Sequence, residues 1–306
     1  NDVILAGTLN HDPEGQAREL NEYRNIGALV IVFGSTQSSV SEAADILIDN
    51  GMPNGTNPVI EVACREKPVC PTAGVANISA LWLFACELVA ACTRLKKTLA
   101  MYESGGMPGG GARNNAYQDV MFHEDLVAPP VAPGVLANQF ITEMARCFTE
   151  LSTQYPRFFQ GGVLMAQSLE SGHRVWISGN AHHFSAQNGM PGDPVLFSLN
   201  LNDMDMAAAV DAFQSEDTFA YMGYFSYPEP FVKATRQAGM SSVWLQGGCE
   251  YRYFINRPQE ILIDCGWKHG DACIDLPGYD ILIIPPSGVV QTAALWMLVG
   301  EAASHV

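Results

Sequence analysis

A repeated block of sequence constrains the fold more than any other feature of this chain. PTAGVANISALWLFACE, residues 71–87, and PPSGVVQTAALWMLVGE, residues 285–301, are identical at seven of seventeen positions, including the scarce residue tryptophan. DILIDNG at 45–51 and EILIDCG at 260–266 share five of seven positions. Two shorter matches keep the same order, and all four lie at an offset of 212–215 residues. This order predicts a tandem duplication, although any two α/β segments share some strand and helix texture.

Each copy has the same predicted elements: a strand, a loop containing Pro-Glu, a helix, two short apolar strands, a Pro-x-x-Gly-Val turn and a long helix. Strands that are apolar throughout and alternate with helices are typical of a parallel sheet covered on both faces. With right-handed crossovers, the sequence predicts an α/β fold, a three-layer α-β-α sandwich. The shorter elements are predicted at 3–6, 15–25, 28–33 and 46–48, and again at 219–222, 230–238, 242–245 and 261–263.

The two copies are unequal in length. Before its strand at 219, the second copy has an amphipathic helix at 137–155, a second helical piece, and strands at 175–177 and 195–199. The first copy has no counterpart, so either a segment is missing or a partner supplies that layer. We favour a missing segment, because a half sheet exposes strand edges that proteins normally cover. The predicted organisation is a first unit at 1–104 lacking its N-terminal half, a Gly/Pro-rich linker at 105–135, and a second unit at 136–306.

Charge and cysteine usage exclude several classes of protein. The net charge is −16, from 32 acidic and 16 basic residues, so binding to nucleic acid is not expected. A phosphorylated small molecule is not excluded, because backbone N–H groups can hold a phosphate. The eight cysteines contain no Cys-x-x-Cys pair. They predict reduced, buried thiols in a cytoplasmic protein without a metal site.

The most apolar window of the sequence covers residues 75–92 and contains Glu87. Because a membrane span would have to bury this carboxylate, we predict a core helix and no membrane partner. The first residues lack the basic and apolar regions of a signal peptide.

Three motifs together resemble the sugar isomerase (SIS) domain family: SGNAHHFSAQ at 178–187, AADILIDNGMP at 43–53 and PTAGVANISAL at 71–81. They are similar to motifs of an uncharacterised bacterial branch, in which a strand ends in a Gly-Thr-Gly-His-Ser-His turn. The first motif also resembles the Gly-Asn…His-Phe-Ala-Ala-Glu turn of phosphoheptose isomerases. The turns at 6–15 and 222–230 depart from the family, because they have few hydroxyls and each carries a glutamate.

The resemblance implies two SIS domains that bind a sugar or sugar phosphate at the carboxyl ends of their strands, in a homodimer or higher homo-oligomer. It implies an aldose–ketose isomerase. The alternative is a non-catalytic SIS-fold sensor or assembly component. No dinucleotide fingerprint or Schiff-base lysine context occurs, so no cofactor is predicted.

Four residues are candidates for catalysis. His182 and His183 follow a predicted strand, and the resemblance places one of them where it would open a sugar ring. Glu14 and Glu229 occupy the same loop in each copy, and a partly buried carboxylate there would move a proton between adjacent carbons. The alternatives are histidines that cap and pack, and glutamates that favour the helix dipole.

The candidate ligand-binding residues share small side chains, hydroxyls or amides and follow predicted strands or begin predicted helices. Helix capping is the alternative role for them. They are Ser178, Gly179, Asn180, Ser185 and Gln187 in the histidine-containing turn, Ser35, Thr36 and Ser226 after other strands, and Thr72 and Ser287 at the starts of the long helices.

Overall fold

A computed structural model describes residues 2–8, 12–53, 58–63, 65–179, 192–197, 199–200, 210–224, 227–248, 257–268 and 270–306. These residues form two compact units, one of residues 2–81 with 192–195 and one of residues 82–179 with 196–306. These units are defined by contacts between residues and need not coincide with the two repeated copies of the sequence. The boundary between residues 81 and 82 falls inside the helix Ala73–Arg94. The predicted domain limits at 104 and 136 therefore stay a prediction.

The first unit contains a parallel sheet in the order β1-β2-β3, with β1 at an open edge. Helix α1 begins after Asp12, whose side chain accepts a hydrogen bond from the Gly15 N–H at 2.9 Å. It packs Leu20 against the apolar face formed by Val30 and Val32. The elements are β1 Val3–Gly7, α1 Pro13–Asn25, β2 Leu29–Gly34, β3 Ile46–Asp49, the hairpin of β4 Pro58–Ile60 and β5 Val69–Pro71, and the start of α2 Ala73–Arg94.

The second unit contains a five-stranded parallel sheet with helices on both faces. One face packs against α5 and α7, and the other packs Trp176, Phe219 and Trp244 against Val232 of α6. The sheet order is β12-β11-β10-β8-β9. The remaining elements are β6 Thr98–Leu99, α3 Gly110–Ala116, β7 Phe122–His123, α4 Val135–Thr153, α5 Tyr155–Glu170, β8 Val175–Gly179, β9 Leu199–Asn200, β10 Thr218–Tyr224, α6 Glu229–Ala238, β11 Ser241–Gly247, β12 Glu260–Asp264 and α7 Ser287–His305.

The two sheets share their strand register. Val3 pairs with Leu29, and Thr218 pairs with Ser241, which lie 215 and 212 residues further along. The pairs of β2 with β3 and of β11 with β12 correspond at the same two offsets. These two offsets lie within the range of the sequence matches, and the duplication itself stays a prediction.

One face of the first sheet is less covered than its counterpart. Val3, Leu5, Leu29 and Ile46 are 40–53% exposed. The equivalent face of the second sheet is buried under α5, where Gly161 lies so close to Val243 that a Cβ atom would be 3.2 Å from it. Among the described residues, no strand pairs with the outer edge of β1.

Two predicted features differ from the structure. The strand predicted at 195–199 is wrong for residues 195–197, because Val195 has a φ of 54° and its N–H bonds to the Asp193 side chain in a turn. Helix α2 is less buried than a core helix, with 28% of its most apolar window buried. Among the described helices, it is the one whose length and composition would suffice to cross a membrane.

Candidate functional site

The strands of the second sheet are parallel, so their carboxyl ends share one edge. Ser178 and Gly179 end β8 at this edge, beside Tyr221 and Met222 of β10. Ser178 is buried, and a Cβ atom on Gly179 would lie 2.4 Å from the Met222 carbonyl oxygen, so only glycine fits. Six predicted site residues lie outside the described residues: Asn180, His182, His183, Ser185, Gln187 and Ser226.

The predicted hydroxyls at the helix starts are engaged in local contacts. Ser287 begins α7, and its hydroxyl donates to Asp271 at 2.7 Å while its N–H donates to the same carboxylate at 3.2 Å. Thr72 precedes α2, and its hydroxyl lies 3.7 Å from the Met52 sulfur. A carboxylate at a helix N-terminus is favoured by the helix dipole, which explains the Asp271 position.

Two of the predicted residues of the first unit, Ser35 and Thr36, lie directly after β2. The Ser35 hydroxyl oxygen accepts a hydrogen bond from the Gln37 N–H at 3.2 Å, and Thr36 is exposed. Glu14 of α1 and Glu229 of α6 are both exposed in the first turn of their helices. Neither therefore has the partial burial that was predicted for a proton-transferring carboxylate, and their positions match the alternative role in the helix dipole.

A cavity of about 870 Å³ lies within the second unit, at the carboxyl end of β10 and near the start of α7. Its wall is made by residues 101–107, 270–272 and 282–285 together with Trp82, Asn114 and Tyr224. The Trp82 indole N–H is buried and has no hydrogen-bond partner in the structure.

Helix α3 holds one wall of the cavity in place. The Asn114 amide accepts from the Glu103 N–H at 2.9 Å and donates to the Glu103 carbonyl at 2.7 Å. Arg113 donates to the Met101 carbonyl and forms a bidentate pair with Asp280 at 2.9 and 2.7 Å. Part of the segment predicted to be a linker, 105–135, therefore lines the cavity of the second unit. Its Gly and Pro content correctly indicated turns, but could not indicate packing.

The described lining of the cavity carries negative charge. Glu103 and Asp271 line it, and none of the described lining residues is Lys, Arg or His. Burial, and then the nearby Asp271 charge, raise the pKa of Tyr224 to about 12, so its phenol stays neutral. The described residues contain no group of three or more side chains that could hold a metal ion.

A pair of buried amides was missed by the search for hydroxyls and histidines. Asn77 of α2 donates to the Thr8 carbonyl at 2.6 Å, and Gln291 of α7 donates to the Gly223 carbonyl at 2.6 Å. Both residues lie in the second turn of their helices. Their side chains donate to carbonyl groups at the carboxyl ends of β1 and β10, which are corresponding strands of the two copies. The signal was present, because the two residues occupy the same position in the matched blocks 71–87 and 285–301.

Comparison with known proteins identifies the fold. No family model and no curated protein matches this sequence. The C-terminal domain of glucosamine-fructose-6-phosphate aminotransferase from Francisella tularensis superposes with a TM-score of 0.50 at 11% identity, over 99% of this chain and 71% of that chain. The predicted SIS-type α/β fold is confirmed by this match.

Two further structures match with lower scores. A sugar-binding candidate from Salmonella typhimurium LT2 has a TM-score of 0.49 and 8% identity, and covers 100% of this chain and 73% of that chain. A phosphoheptose isomerase from Francisella tularensis has a TM-score of 0.40 and 14% identity, over 56% of this chain and 98% of that chain. The assignment of the fold therefore rests on the first match alone.

Proposed function

Taking the SIS fold as the premise, we propose that this chain binds an unphosphorylated sugar in the cavity of its second unit. One observation carries the proposal: the described lining joins two carboxylates and aromatic side chains with no cationic residue. The volume of about 870 Å³ falls within the usual range for small-molecule sites.

The lining suits hydroxyl groups. Carboxylate oxygens accept hydrogen bonds from hydroxyls, and the aromatic side chains of Trp82 and Tyr224 line the same cavity. Glu103 and Asp271 would repel a phosphate, and none of the described residues that line the cavity is Lys, Arg or His. The matched aminotransferase is named for a 6-phosphate, and our proposal departs from that enzyme at the phosphate.

Binding is tested by ligand-observed NMR and calorimetry with D-glucose, D-fructose and D-glucosamine, each compared with its 6-phosphate. We expect at least one free sugar to bind at least tenfold more tightly than its phosphate. Glu103→Gln should narrow this difference because it removes a repelling charge, whereas Glu170→Gln, at an exposed position on α5, should not. Tighter binding of the phosphates would contradict the proposal.

Aldose–ketose isomerisation remains the predicted reaction, and a non-catalytic sensor remains its alternative. Exchange of deuterium into carbon 2 of a bound sugar, followed by NMR, distinguishes them. Replacing His182 and His183 together by Ala should abolish exchange if the chain is an isomerase. Glu229→Gln tests the carboxylate base separately. Binding without exchange would favour the sensor.

A further inference from the structure

The start of α7 carries a carboxylate where a helix can hold an anion from solution. The first N–H groups of a helix have no partner within the helix and favour negative charge, so a phosphate or sulfate can bind there. Here the Ser287 N–H and the Ser287 hydroxyl donate to the two carboxylate oxygens of Asp271, at 3.2 and 2.7 Å. Asp271 therefore engages donors that would otherwise be open to an external anion.

The same carboxylate belongs to the cavity in which we propose that a sugar binds. Asp271 is half-buried and lines this cavity together with Ile284 and Pro285, which lead into α7. Burial is the largest cause of the rise in the pKa of Tyr224 to about 12, and the Asp271 charge is the next cause. Because Tyr224 also lines the cavity, the Asp271 charge acts on the cavity wall as well as on the helix.

The first copy begins its long helix without this pair of serine and carboxylate. Helix α2 begins at Ala73 and helix α7 at Ser287, which occupy the same position in the matched sequence blocks. The residue three positions earlier is left-handed in both copies, with a φ of 65° at Cys70 and 63° at Ile284. Both helices therefore follow an equivalent left-handed residue, but Ala73 has no hydroxyl that could donate to a carboxylate. The pair is a feature of the copy that has the cavity.

We infer that Asp271 determines the specificity of the cavity: it is a built-in anion that fills the start of α7 and keeps phosphate and phosphorylated sugars out. This inference rests on the proposed function and assigns its selectivity against phosphate to one group. Glu103 also lines the cavity and adds electrostatic repulsion. Asp271 repels a phosphate and, in addition, engages the donors that the phosphate would use.

The test removes the built-in anion and measures the binding of inorganic phosphate by calorimetry at constant ionic strength. We expect Asp271→Ala to bind phosphate roughly tenfold more tightly than the wild type, because it loses a repelling charge and frees two donors. Asp271→Asn loses the charge but can still accept from Ser287, so its gain should be smaller, roughly threefold. The Asn variant serves as the test if circular dichroism shows that the Ala variant does not fold.

Two control variants locate the effect. Asp275→Ala removes the same charge from an exposed position that is not among the described residues lining the cavity, and it should leave phosphate binding unchanged. Ser287→Ala, added to Asp271→Ala, should reverse most of the gain, because it removes one of the freed donors. Equal phosphate affinity in Asp271→Ala and Asp275→Ala would overturn the inference. So would phosphate binding by the wild type that Ser287→Ala abolishes.

Sugars provide the second measurement. For the free sugar that binds most tightly among D-glucose, D-fructose and D-glucosamine, Asp271→Ala should raise the affinity of the 6-phosphate relative to the free sugar by roughly tenfold. An unchanged ratio would contradict the role of Asp271 in specificity. A wild type that binds none of the three sugars would overturn the proposed function. The measurement with inorganic phosphate needs no sugar, so it would still decide separately whether Asp271 fills the start of α7.

Discussion

A buried carboxylate at the start of β10 gives the sharpest stability prediction. Asp217 is 1% exposed and accepts three hydrogen bonds, from the Trp176 indole at 2.8 Å, the Arg174 N–H at 2.9 Å and the Gln214 N–H at 3.2 Å. Asp217→Ala leaves all three donors without this acceptor. Because Trp176 is fully buried, its indole N–H cannot form a hydrogen bond to water instead. We therefore expect the loss of this hydrogen bond to cost more than the loss of the other two. We expect the free energy of unfolding to fall by about 3–5 kcal/mol.

Urea denaturation followed by tryptophan fluorescence and near-ultraviolet circular dichroism measures this change. Asp211→Ala is the matched control, because Asp211 is an exposed aspartate in the same part of the chain, and it should change stability by less than about 0.5 kcal/mol. A loss in Asp217→Ala of about 1 kcal/mol or less would refute the reasoning. It would mean that the bonds to Asp217 contribute little to the packing of β8 against β10.

Three further predictions concern a thiol, a glycine and the cavity wall. Burial raises the pKa of the Cys86 thiol to about 12, so Cys86 of the native protein should not react with iodoacetamide at pH 8. Mass spectrometry of the alkylated protein checks this. Because its pKa is higher in the folded than in the unfolded state, the Cys86 thiol stabilises the folded state below about pH 8.5. This contribution to the free energy of unfolding should be lost as the pH rises toward 12. Gly247→Ala places a Cβ 2.2 Å from the Trp267 ring and should cost about 1–3 kcal/mol in chemical denaturation, whereas Gly105→Ala meets no neighbour within 4 Å. Arg113→Lys loses its bidentate pair and should weaken sugar binding several-fold in calorimetry, with unchanged affinity contradicting the role of the wall.

The helices and strands were predictable because their signal is local. Runs of apolar residues bounded by Gly, Pro and Asp predicted β2, β10 and β11 to within two residues at each end. The long helix α7 followed from its match with α2. The failure at 195–197 is also local in origin, because the Asp193 side chain diverts Val195 into a left-handed turn within an otherwise apolar run.

The cavity could not be predicted because its contacts join distant parts of the sequence. Arg113 and Asp280 are separated by 167 residues, and no pattern near either residue indicates the other. Hydroxyls and histidines drew attention to family-like turns, while the buried amides Asn77 and Gln291 gave no chemical signal of their own. Only the alignment of the two copies relates these amides.

The open edge of β1 has a practical consequence for any heating experiment. Val3 and Leu5 are exposed to water, and no described strand pairs with the outer edge of β1, so the first sheet offers an edge to which other copies of the chain can bind. The apparent Tm should therefore depend on protein concentration and scan rate, because aggregation would compete with refolding.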